Sequence, residues 1–190
     1  MLKSLKTTLK AFPVITVVAV SLCFITTELF DLLLGIKLPE QSIVAAMRYI
    51  ITHAFDSIKN FLNCASALAQ VLVLVPVVEE ILFRWLLFML PLRLVGKRHA
   101  AEDGAVHTAA ASAPSASTRI AVCIAVFSAA AFSAAHYIQM PWPNNAFIAL
   151  FFFGLAQCWL YRKTDYLWCP ALNHALFNTA NLVLMFIVPS

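Results

Sequence analysis

Two adjacent carboxylates and a guanidinium stand in the middle of an apolar stretch, and that placement limits what the chain can become. From Ala65 to Leu92 the sequence is apolar, with little besides Ser66, Gln70 and Pro76 to interrupt it, except at Glu79, Glu80 and Arg84. Such a run is long enough to cross a bilayer. Ionisable groups at membrane depth cost a few kcal/mol each on insertion scales, so they persist where they are paired or used. Residues four apart share a helix face, so Glu80 and Arg84 can pair. Glu79 lies about 100° round the axis from Glu80 and is left to face a cavity. An anchored pair with a carboxylate to spare is a chemical arrangement. The competing reading is an ion-pair network that only holds a bundle together.

Composition decides the class. Of 190 residues, 62% are hydrophobic and 12% charged, against about 45–50% and 25% in soluble domains. The expectation is an all-α, polytopic membrane helix bundle forming a single integral membrane domain over residues 1–190. The formal charge of +4 falls mostly at the ends of apolar runs, where it sets topology and does not mark nucleic-acid binding. Cys23, Cys64, Cys123, Cys158 and Cys169 are odd in number and form no Cys-x-x-Cys pair. They read as small packing residues, not a disulfide or metal framework.

Lys3, Lys6 and Lys10 precede an apolar run from Ala11 to Ile25, as in a signal peptide. No small-x-small cleavage site follows, and Leu22 before Cys23 does not suit a lipoprotein site. A retained first span over about Phe12 to Leu34 is therefore expected, with Glu28 and Asp31 interfacial. Ile43 to Leu62 mixes apolar residues with Arg48, His53, Asp56 and Lys59, which predicts an amphipathic helix lying at the interface and completing an N-terminal portion, residues 1–62. The second span covers Ala65 to Leu92, with a kink expected at Pro76. Residues 97–118, alanine- and serine-rich with Gly104 and Pro114, predict a flexible loop in which His99 and His107 are solvated. Three further spans are expected over about Ile120 to Met140, Ala146 to Tyr161 and Leu167 to Val188, the third closed by a turn from Pro141 to Asn145. Placing Lys3–Lys10, Arg93–Arg119 and Arg162-Lys163 on one side satisfies the positive-inside bias for all five spans, with the N-terminus cytoplasmic.

Three spans carry polar chemistry into residues 65–188. The second has Glu79, Glu80 and Arg84, the third has His136, and the fifth has His174 and Asn178 one turn apart, with Asn181 continuing that face. A lone histidine in an apolar helix is usually a satisfied core residue. Two histidines, a spare carboxylate and an amide on three helices instead suggest a shared polar cavity. A carboxylate and a histidine can hold and deprotonate a water. A second histidine and an amide can donate to the oxygen of a tetrahedral intermediate. That set suits acyl hydrolysis, and within a membrane the substrate expected is a peptide bond of a membrane-embedded or membrane-anchored protein.

The motifs Glu79-Glu80-x-x-x-Arg84, Phe132-x-x-x-His136 and His174-x-x-x-Asn178, in this order on hydrophobic helices, resemble the CPBP family. That family comprises the CAAX prenyl endopeptidases and their bacterial relatives, glutamic-type intramembrane proteases. The resemblance covers about Ala65 to Val188. It implies that Glu79 with His136 activates water, that Glu80 and Arg84 support the site, and that His174 with Asn178 forms an oxyanion pocket. It implies no cofactor, a bacterial plasma (inner) membrane, and a role in processing or sorting small or C-terminally anchored proteins. Among the substrates of such enzymes, a prenylated C-terminus is the least expected here. The chain departs from the family in having fewer spans. A turn commonly Thr-Gly-Ser-like reads Lys163-Thr164-Asp165-Tyr166-Leu167-Trp168, without the glycine.

Three alternatives stand beside this reading. Glu79, His136 and His174 could make a His₂Glu zinc site. Some relatives regulate partners as non-proteolytic membrane scaffolds, although the complete motif set argues against that here. A transporter would be expected to show internal repeats, and none is found. Depth is the geometric demand. At about 1.5 Å per residue, straight helices would leave Glu79, His136 and His174 roughly 10–15 Å apart along the membrane normal. Tilts, or kinks near Pro76, Pro141 and Pro170, must close that gap.

Overall fold

The computed structural model describes residues 1–38, 42–95, 116–136 and 146–187. Among them every regular element is helical. They are α1 (Leu2–Leu34), α2 (Ser42–Thr52), α3 (Ile58–Val95), α4 (Ala116–Ala135), α5 (Phe147–Thr164) and α6 (Trp168–Ile187). The chain is an all-α membrane helix bundle. Leu2–Leu34, Ile58–Val95 and Thr118–Ala135 are long and apolar enough to cross a membrane. The other two stretches expected to span are helical, as α5 and α6, but are not among the helices apolar enough to cross, because polar residues (Gln157, Arg162 and Lys163; Asn173, His174, Asn178 and Asn181) dilute their apolar character.

α1 begins ten residues before the expected span, so Lys3, Lys6 and Lys10 ride on the helix itself. It ends where Gly35 takes a left-handed φ of 63° and the Gly35 and Ile36 N–H groups return to the Asp31 and Phe30 carbonyls at 2.9 and 3.2 Å. That is a Schellman cap, for which glycine has no steric penalty. The single amphipathic helix expected from Ile43 to Leu62 is instead two elements. α2 stops at Thr52, and Ser57 starts α3 by accepting the Asn60 N–H at 3.1 Å. A serine hydroxyl satisfies an otherwise orphaned first-turn N–H, which is the reason the chain restarts there. His53, in the connection, places Nδ1 2.9 Å from the Tyr49 carbonyl. Of the expected loop 97–118, residues through 115 lie outside the described residues and the last three are already helical in α4. The expected turn from Pro141 to Asn145 also lies outside them.

α3 changes hydrogen-bond register along its length. It is π-helical over Gln70–Leu74, α-helical over Val75–Glu79 and π-helical again over Glu80–Met89. The Val75 N–H bonds the Gln70 carbonyl, five residues back. Widened turns of this kind recur inside α-helices at functional sites. Here the first one leads directly into Pro76, which has no N–H to offer.

α5 is the hub of the bundle, burying one broad face that includes Leu150, Phe153, Gln157 and Leu160 and leaving Phe152 and Trp159 exposed on the other. It packs against α1, α3, α4 and α6. Gly154 lets α4 approach closely, since a Cβ there would lie 3.0 Å from the Ala129 Cα. Small residues at such contacts are how membrane helices gain van der Waals packing, lipid tails being as apolar as the helices themselves. Ile15 of α1, Phe83 of α3, Phe132 of α4 and Phe153 of α5 form one core cluster. The Ser128 hydroxyl donates to the Phe83 carbonyl at 2.6 Å, fastening α4 to the second π-helical segment. The turn that lacks a glycine is made by Asp165 at φ 57°, a conformation aspartate tolerates better than most residues. Arg93 at the end of α3 bonds its carboxylate at 2.9 Å, an exposed contact that positions more than it stabilises.

Candidate active site

The site is assembled where α3 and α6 face each other and the end of α4 reaches in. Glu80 and Arg84 form an ion pair, Nε to Oε2 at 3.0 Å, with both side chains fully buried. The contact is close but not aligned as a straight hydrogen bond, and the terminal guanidinium nitrogens have no hydrogen-bond acceptor. They are compensated by the ring of Phe132, 4.4 Å from the guanidinium carbon. A cation over an aromatic face in a dry site gains about 2 kcal/mol. The other Glu80 oxygen, Oε1, lies 3.0 Å from Nδ1 of His174. A carboxylate accepts, so His174 donates from Nδ1 and turns Nε2 outward.

Nε2 of His174 is 3.6 Å from Oε2 of Glu79, and Nε2 of His136 is 3.8 Å from Oε1 of the same carboxylate. Glu79 thus stands between two imidazoles and turns a different oxygen to each. Both separations are too long for a direct hydrogen bond and leave each pair able to touch one small molecule between them. His136 follows the last residue of α4, and its Nδ1 sits 2.8 Å from the Phe132 carbonyl. A carbonyl can only accept, so the His136 proton is on Nδ1 and Nε2 faces Glu79. The side chains of Glu79 and His136 are each 22% exposed, whereas that of His174 is 5% exposed. Access is therefore from the His136 side, with His174 behind.

The depth problem is resolved without a kink at Pro170, which lies in the first turn of α6, where a missing N–H costs nothing. Five of the six residues singled out from sequence, Glu79, Glu80, Arg84, His136 and His174, form one chain of contacts. Asn178 does not touch them. Its Nδ2 donates to the Val71 carbonyl at 2.8 Å, two turns before Glu79 on α3. Asn181, expected to continue the His174 face, bonds the Phe177 carbonyl of its own helix at 3.0 Å. Sequence reasoning placed Phe132 in a motif but assigned it no role. Yet its carbonyl orients His136, and its ring meets Arg84, His136 and His174. Its place four residues before His136 was the available signal, since that is the carbonyl a helical histidine reaches. Among the described residues no group of three or more His, Cys, Asp or Glu side chains is arranged to hold a metal ion.

A family model, type II CAAX prenyl endopeptidase Rce1-like, matches residues 61–180. The chain belongs to this family. Membership places it among the CAAX-type membrane proteases at the level of family, hydrolases that act on peptide in a membrane setting. The matched stretch runs from the first turn of α3 into α6 and contains all six site residues, while α1 and α2 precede it. No curated protein and no solved structure matches the chain.

Proposed function

We propose that this Rce1-like protein is a glutamic-type intramembrane endopeptidase in which Glu79 is the general base. The observation that carries the reading is the Glu79 carboxylate set between the Nε2 atoms of His136 and His174. A water lodged between Glu79 and His136 gives its proton to Glu79 as its oxygen bonds the scissile carbonyl carbon. The tetrahedral oxyanion so formed lies on the side of His174. Collapse breaks the C–N bond, and Glu79 returns the proton to the leaving amine. Glu80 and Arg84 brace His174 from behind and do not touch the substrate. The substrate is a membrane-embedded or membrane-anchored protein, small or C-terminally anchored, and a prenyl group is not required. Purified protein in liposomes, given a membrane-anchored reporter peptide, tests this: wild-type cleavage supports the reading, and none with any apolar-flanked reporter overturns it.

The mechanism needs no metal, because Glu79 itself supplies the base. Activity is expected to survive exhaustive chelation, with purified active protein containing far less than one metal per chain. Stoichiometric zinc, with activity lost on chelation and restored by zinc, would establish the His₂Glu alternative instead.

The proposed orientation, in a bacterial plasma membrane, has the N-terminus and the segment between α3 and α4 cytoplasmic, since Lys97, Arg98 and Arg119 cluster there. A Ser115→Cys variant in a background without the native cysteines is expected to resist an impermeant thiol reagent added to intact cells. Labelling from outside would reverse the topology.

A further inference from the structure

Asn178 is engaged in the structure, and its partner has a cause in the sequence. In the π-helical segment before Pro76, Val75 donates to the carbonyl five residues back, Gln70. In the same register the next N–H would serve the Val71 carbonyl. The next residue is Pro76, which has none. Val71 is thereby left with an orphaned carbonyl in an apolar setting, a costly state for a backbone acceptor. The Asn178 amide reaches across from α6 and donates to it at 2.8 Å. One turn away on α6, His174 makes its contacts with Glu80 and Glu79. The two helices are thus fastened at two levels, once by the catalytic contacts and once by the amide that fills the proline gap.

We propose that Asn178 is a positioning residue for the reaction: by capping the carbonyl that Pro76 orphans, it fixes the helix register that aims Glu79 and Glu80 at His174. This rests on the endopeptidase reading above. It reassigns the amide from the transition state to the scaffold, with one hydrogen of Nδ2 committed to Val71. A misplacement of about 1 Å can cost about 10²-fold in rate, so a residue that never meets the substrate can still be needed for turnover.

The test is a double-mutant cycle between Asn178→Ala and Pro76→Ala, read by the thermal unfolding midpoint in detergent and by kcat on a membrane-anchored reporter peptide in liposomes. Pro76→Ala restores an N–H that can take the Val71 carbonyl, making Asn178 redundant. The proposal expects Asn178→Ala to lower both the midpoint and kcat, the latter by about 10²-fold. In the Pro76→Ala background the same substitution is expected to cost no more than a few-fold. Asn181→Ala, which removes a bond within α6 alone, is the control expected to leave both readouts unchanged. If Asn178→Ala lowers kcat equally in both backgrounds with the midpoint unmoved, Asn178 acts directly on the oxyanion and the proposal is overturned. Should Pro76→Ala not fold, Pro76→Ser supplies the same N–H, and an unchanged midpoint for Asn178→Ala alone is already enough to overturn it. Absence of cleavage by wild-type protein would instead sink the endopeptidase reading, while the unfolding cycle still reports whether Asn178 fills the proline gap.

Discussion

Glu79→Gln is expected to abolish peptide cleavage while leaving the unfolding midpoint where it is in the wild type. Glutamine matches the glutamate in size and fills the same space between His136 and His174, but an amide cannot take a proton from water. Loss of a general base costs about 10²–10⁴-fold, and among the described residues no other carboxylate is placed to substitute, because both oxygens of Glu80 are engaged by Arg84 and His174. The fold is expected to tolerate the change, since the nearest partners of Glu79 stand at 3.6 and 3.8 Å, beyond direct hydrogen bonding. Thermal unfolding in detergent, run beside the cleavage assay, separates the two effects. A variant that unfolds as readily as one lacking Glu80 would show that Glu79 is structural.

Glu80→Ala is expected to do the opposite: to unfold the protein first and inactivate it as a consequence. It strips the fully buried Arg84 of its one carboxylate, leaving a cation compensated only by the Phe132 ring. Breaking a buried pair by removing one partner costs about 3–5 kcal/mol. For a chain of this length that is a fall on the order of 10 °C in the unfolding midpoint. The sign of the cause can be checked with Glu80→Ala/Arg84→Met. Removing both charges should recover much of the lost stability, because replacing a whole buried pair by apolar residues is often close to neutral. The double variant should remain inactive, since His174 would have lost the carboxylate that orients its ring. If the single and double variants are equally unstable, the pair is not what Glu80 contributes.

These two outcomes rest on a division between adjacent residues that helical geometry alone made legible. Four-residue spacing predicts the Glu80–Arg84 pair, and the one-residue offset frees Glu79 for a different neighbour. The all-α membrane class was legible for an equally general reason, the rarity of charge across long apolar runs. What the sequence hid depends on hydrogen-bond register. Straight-helix reasoning cannot anticipate that α3 widens into π turns on either side of Pro76. Depth counted along straight helices separated Glu79 and His136, which meet at 3.8 Å. The same register change supplies the partner of Asn178, whose placement departs from its expected company. Asn178 shares a face with His174, as its spacing required, but its amide is drawn to the Val71 carbonyl. The break at residues 53–57 was hidden for a smaller reason: Ser57 is a weak cap signal between two stretches that are each amphipathic.

The most direct test of Glu79 as the base of a membrane endopeptidase is a mass-spectrometric map of peptide termini in membranes carrying the wild-type protein, set against membranes carrying equal amounts of folded Glu79→Gln. The account predicts a set of new termini, within or beside apolar segments of membrane-anchored proteins, found only with the wild type. Identical termini in both membranes, or the same new termini persisting with Glu79→Gln, would contradict it.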